Sequence, residues 1–137
     1  MRMLLFAILF VPVSAQAGTS LLLGAWSKHL LTDEDYNETH NLVAVEYGSL
    51  FVGYFENSCK EDTFALGQKW SKSYGPIEVG LYGGVTYGYR DCSVGYADSA
   101  RRVCPMVAPF VTLDTGLVSL QIYLLGEAFT GGFRVNL

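Results

Sequence analysis

The chain has 137 residues and a net charge of −4; half of its residues are hydrophobic and only 16% are charged. An acidic chain whose largest basic cluster is Arg101-Arg102 is a poor binder of nucleic acid. After residue 17 no stretch reaches about 18 consecutive apolar residues, so no helix in that part is expected to span a bilayer.

The amino terminus predicts export. Arg2 gives a short basic start, Leu4 to Val13 is an apolar run, and Ala15-Gln16-Ala17 is an A-x-A cleavage site. Residues 1–17 are therefore expected to be a secretory signal peptide cleaved after Ala17, leaving a single domain over 18–137. In an oxidising compartment Cys92 and Cys104 either close the polar loop between them with a disulfide or remain thiols; Cys59 is left over. No metal or cofactor is expected, since there is no C-x-x-C and the only two histidines are His29 and His40.

A first strand is expected from Ser20 to Leu31, with Leu22, Trp26 and Leu30 on one face and Leu21, Leu23, Ala25, Ser27 and His29 on the other. An acidic loop follows, Thr32 to Glu38. The next two strands flank Gly48-Ser49. Pairing Tyr47 with Phe51 puts Val45 opposite Gly53 and Val43 opposite Phe55 on an apolar face. The other face then carries Glu46, Glu56, His40 and Ser58, with His40 opposite Ser58.

Ser58 to Asp62 reads as a polar loop and Thr63 to Lys72 as a fourth strand. Tyr74-Gly75-Pro76 turns into a long fifth strand, Ile77 to Arg90. There Glu78, Gly80, Tyr82, Gly84, Thr86, Gly88 and Arg90 alternate with an apolar face. Beyond the Cys-bracketed loop, Met106 to Leu113 is a sixth strand, in which Pro105 and Pro109 suggest an edge, a bend or a bulge. Asp114-Thr115-Gly116 turns into a seventh strand over Val118, Leu120, Ile122 and Leu124, and Phe129 to Leu137 alternates as an eighth.

Eight amphipathic strands without a helix, with long polar loops alternating with tight turns, predict an all-β fold: an eight-stranded antiparallel up-and-down outer-membrane β-barrel. Its apolar faces would meet lipid, while Glu46, Glu56, Lys69, Glu78, Arg90, Gln121 and Arg134 would pair inside. The soluble alternative, a lipocalin-like barrel or sandwich, would turn the apolar faces inward.

Trp26-Ser27-Lys28-His29, Tyr36-Asn37-Glu38 and the run Gly53 to Ser58 (GYFENS) occur in that order, followed by VGLYGGVTYGYRD and PMVAPF. Together they resemble the lipid A palmitoyltransferase family, PagP-like eight-stranded outer-membrane enzymes. The resemblance implies transfer of an acyl chain from a phospholipid to lipid A in the bacterial outer membrane, by a monomer whose partners are membrane lipids. It implies a catalytic role for His29 on the first strand and for Asn57-Ser58 on the third, Asn57 standing where the family has aspartate. The hairpin register adds His40, a candidate base for Ser58. The alternative is a non-enzymatic surface barrel on the same scaffold. Gly80, Gly84 and Gly88 would either leave room for an acyl chain or allow close backbone packing.

Overall fold

The computed structural model describes residues 18–29, 38–57, 60–89, 102–125 and 128–137. The expected signal peptide lies outside the described residues. Among the described residues eight strands follow one another: β1 (Thr19–His29), β2 (Thr39–Tyr47), β3 (Leu50–Glu56), β4 (Asp62–Tyr74), β5 (Ile77–Tyr89), β6 (Arg102–Leu113), β7 (Val118–Leu125) and β8 (Ala128–Asn136). Each pairs antiparallel with its sequence neighbour, and β1 pairs with β8 to close a barrel. The closure is fastened where β1 begins and β8 ends, Leu137 N donating to Thr19 O at 2.9 Å. Closure removes most of the free sheet edge, by which an all-β chain limits edge-to-edge association.

The tight turns are built on glycine. Gly48 and Gly75 adopt φ of +59° and +62° at the first central position of two-residue hairpins, as a type II′ turn requires. This corrects the expected hairpin register by one residue. Tyr47 pairs with Leu50, so Val45 meets Val52 and Val43 meets Tyr54. Those side chains face outward, whereas Glu46, Ala44 and His40 face inward with Phe51, Gly53 and Phe55. The three-residue turn assumed from the sequence loses to a two-residue turn that matches the twist of the strands.

A second correction falls in β1. Leu22 is buried and Trp26 is exposed, although even alternation places them on one face. The register with β8 shifts between Leu23 and Trp26, where Gly24 has φ +91°. One extra residue in β1 forms a bulge, and every side chain beyond it changes face. Ser27 therefore points inward.

β6 starts at Arg102, earlier than expected, so Cys104 lies inside the strand as a half-buried free thiol rather than in a disulfide. Cys92 and Cys59 are outside the described residues. β6 is laddered to β5 along its length but to β7 only from Phe110 to Leu113. Pro105 and Pro109 stand above that point, where a missing N–H breaks no β7 ladder bond.

The barrel interior is layered. At the tight-turn end Lys69 Nζ lies 2.8 Å from Glu46 Oε2 and 3.5 Å from Glu78 Oε1. Arg134 Nη1 pairs with the other oxygen of Glu78, and Tyr82 donates its hydroxyl hydrogen to Glu46 Oε1. Gln121 Nε2 in turn donates to the Tyr82 oxygen at 2.8 Å. Two cations balance two carboxylates, as burial of charge demands. Above this network Tyr82 packs between Phe51 and Phe110, with ring centroids 5.2 and 4.6 Å away. Leu22, Ala44, Ala65 and Ala108 complete that apolar layer.

The expected inward face of β5 is observed at Glu78, Tyr82, Thr86 and Gly88. Its glycines serve close packing. A Cβ at Gly84 would collide with the Leu66 carbonyl oxygen, and one at Gly80 would come 2.6 Å from Phe110 Cζ.

Candidate functional site

The barrel end that carries the connections 1–2, 3–4 and 5–6 holds the polar side chains with chemical potential. His40 is buried there. Its Nδ1 lies 2.7 Å from the Glu56 carbonyl oxygen and its Nε2 lies 2.6 Å from Ser27 Oγ. A carbonyl can only accept, so in the neutral ring Nδ1 carries the proton and donates to Glu56. Nε2 is left with a lone pair, to which the Ser27 hydroxyl donates. Neighbouring strands set this geometry. Ser27 is held by its own N–H, which donates to Glu38 O at 2.9 Å, and by its place opposite Thr130 of β8.

Asn57 is fully buried and engaged on every side. Its Nδ2 donates to Thr63 Oγ1 at 3.1 Å, and its Oδ1 accepts from Glu61 N at 3.1 Å. Its backbone N donates to Glu61 O and its carbonyl accepts from Lys60 N, both at 2.9 Å. The residue closes the β3–β4 connection, its side chain and its backbone both bonded to Glu61 four residues on. Lys60 takes φ +61° within that connection.

The structure thus brings two of the expected site residues, His40 and Asn57, to adjoining positions, linked through Glu56. The hydroxyl that His40 meets is Ser27; Ser58, its expected partner, lies outside the described residues. His29 ends β1 opposite Ala128, and its side chain is likewise outside the described residues. Ser27 escaped the sequence reading because alternation left it on one face with Leu21, Leu23 and Ala25; the available signal for its placement was Gly24, since a glycine inside a strand pattern suggests a bulge.

Beside this end the wall between β6, β7 and β8 carries a groove of about 370 Å³. It is lined by Pro109, Phe110, Val111, Ile122, Tyr123, Leu124 and Phe129. Phe110 and Tyr123 are buried inside the barrel while Val111 and Ile122 are exposed outside, so the groove runs into the wall where the β6–β7 ladder stops. A scan of protein-family models finds no match to the chain, and a search of curated proteins finds none.

Proposed function

We infer that the barrel sits in a bacterial outer membrane and acts on the acyl chains of membrane lipids, transferring a chain from phospholipid to lipid A or hydrolysing it. The observation that carries the membrane reading is the outer wall. Tyr54, Phe64 and Tyr87 stand side by side across β3, β4 and β5 near the loop end, with Trp26 and Phe129 at the same end of β1 and β8. Tyr47 and Tyr74 mark the opposite end. Between them lie exposed aliphatic side chains, among them Val45, Val52, Leu66, Val85, Val107 and Ile122. Aliphatic side chains between two aromatic rims suit a lipid-facing wall, and a charged interior suits the same inversion.

The acyl-lipid reading is supported by the groove beside the loop end, whose lining is almost wholly apolar. A soluble barrel would leave Leu66 and Val107, 55% and 63% exposed, in water with their neighbours. The non-enzymatic alternative draws on Asn57, whose amide is committed to the β3–β4 turn. Expression followed by membrane fractionation and unheated gel electrophoresis tests the location; mass spectrometry of lipid A and phospholipids tests the chemistry. Recovery as a soluble periplasmic monomer overturns the membrane reading. Unchanged lipid pools with the wild type, Ser58→Ala, His29→Ala and Asn57→Asp overturn the acyltransferase.

A further inference from the structure

Ser27 and His40 are both buried and in contact inside the barrel. Among the described residues the interior also holds an ion network at the tight-turn end, an apolar layer in the middle and, at the loop end, buried Asn57, Thr63 and Thr130. Two departures from regular strand geometry flank the pair. Gly24 has φ +91° in β1, and Asn41, next to His40 in β2, has φ +45°, which is rare for a residue with a side chain. The β1–β2 register shifts between Gly24 and Trp26, and the β1–β8 register shifts between Leu23 and Trp26. Regular strands would send Ser27 out of the barrel; the bulge turns it in and onto Nε2. Bulges next to active sites re-aim side chains in this way, and backbone strain gathers at such places.

From this geometry we propose that Ser27 is a nucleophile and His40 its general base, acting on the ester carbonyl of a lipid acyl chain. The proposal rests on the acyl-lipid reading above for its substrate class. The arrangement has the order of an activated hydroxyl: nucleophile, base, and a group orienting the base. The Glu56 carbonyl occupies the orienting position and fixes the tautomer with Nε2 free to accept.

Ser27 Oγ attacks the ester carbonyl carbon while its proton passes to His40 Nε2. The tetrahedral intermediate collapses, the ester C–O bond breaks, and the leaving lipid oxygen takes that proton from His40. The chain is left as an acyl ester on Ser27. A water molecule, or a hydroxyl of a second lipid, then gives its proton to Nε2 and attacks the acyl carbonyl. Ser27 oxygen departs and recovers the proton, so a free acid or a new ester is released and the site is restored. Water gives hydrolysis and a lipid hydroxyl gives transfer.

The test uses the full mature chain folded in detergent micelles, with folding checked by its mobility on unheated gels. A fluorophosphonate is added, and the modified peptide is identified by mass spectrometry. An adduct on Ser27 is expected in the wild type, with labelling slowed about 10²–10⁴-fold by His40→Gln. A folded wild type with no adduct at Ser27, or with the adduct on Ser58 alone, overturns the proposal. This readout does not depend on whether Ser27→Ala folds.

In a parallel arm the same preparation meets vesicles of phosphatidylcholine and lipid A, and the lipids are analysed. Lipid turnover that survives Ser27→Ala removes Ser27 as nucleophile while sparing the acyl-lipid reading. A Ser27 adduct on a barrel that leaves both lipids untouched keeps the nucleophile and removes that reading.

Discussion

Lys69 Nζ stands 2.8 Å from one carboxylate, Glu46, and 3.5 Å from a second, Glu78, so a single cation on β4 joins β2 to β5 across the inside of the barrel. Its removal leaves Glu46, only 2% exposed, beside Glu78 with one fewer positive charge between them. Lys69→Met should cost about 3–5 kcal/mol, the usual penalty for stripping a partner from a buried pair. Adding Glu46→Gln should restore much of the loss. Urea unfolding in micelles, followed by tryptophan fluorescence, measures both, and an undiminished midpoint for the single variant would show the network to be inert.

The bulge in β1 is a property of Gly24. No atom lies within 4 Å of a Cβ built there, so a side chain meets only the backbone cost of φ +91°. Gly24→Ala should destabilise the barrel by about 1–3 kcal/mol. It should also slow modification of Ser27, because relaxing the bulge returns that hydroxyl toward the outer face. Unfolding midpoints and labelling rates give the two readouts, and the idea fails if both equal the wild type.

Two glycines separate steric causes. At Gly84 an added methyl meets the backbone of Leu66 and Gly67 in β4, which cannot move without opening the β4–β5 ladder. At Gly131 it meets the Trp26 ring at 2.6 Å, the end of a side chain on the outer wall. Gly84→Ala should therefore cost about 1–3 kcal/mol or more, and Gly131→Ala clearly less. Equal losses in folding yield or midpoint would contradict the assignment.

Leu66 separates lipid from water as the outer solvent. It lies near the middle of β4, paired to Val52 and Val85 on the exposed wall. Leu66→Arg should cost about 2–4 kcal/mol when the barrel folds into vesicles. In a soluble protein an exposed change of this kind would stay within about 0.5 kcal/mol. Equilibrium folding into phosphatidylcholine vesicles decides between them.

Asp114 gives the tight-turn end a pH dependence. The Gly116 N–H, and then the Ser119 hydroxyl, donate to Oδ1 at 2.9 and 3.0 Å and hold its carboxyl below the ordinary aspartate range. A depressed folded-state value means stability that is full above the unfolded value of about 3.9 and is lost as pH falls through the lower folded value. Asp114→Asn should flatten that part of the curve, lowering stability at neutral pH and changing little below the folded-state value. Unfolding midpoints across the acid range check it, and an unchanged slope refutes it.

Period-two alternation was enough to read an eight-stranded barrel from the chain, because each strand has one partner face and the pattern is local. Alternation also assigned the inward charges Glu46, Lys69, Glu78 and Arg134, since side chains two apart share a face whatever the fold. The exact register was not local. One residue more or less in the turn at Gly48 changes which face meets which, and only the closed ladder chose between them. The same holds for the site. His40 was legible as an inward histidine near the rim, but its partner depended on an extra residue in β1, a strand that reaches β8 only when the barrel closes. Composition and pattern determine what each strand can bury; the bulge and the closure bring Ser27 to the histidine, because a one-residue shift inverts a strand and leaves its sequence unchanged.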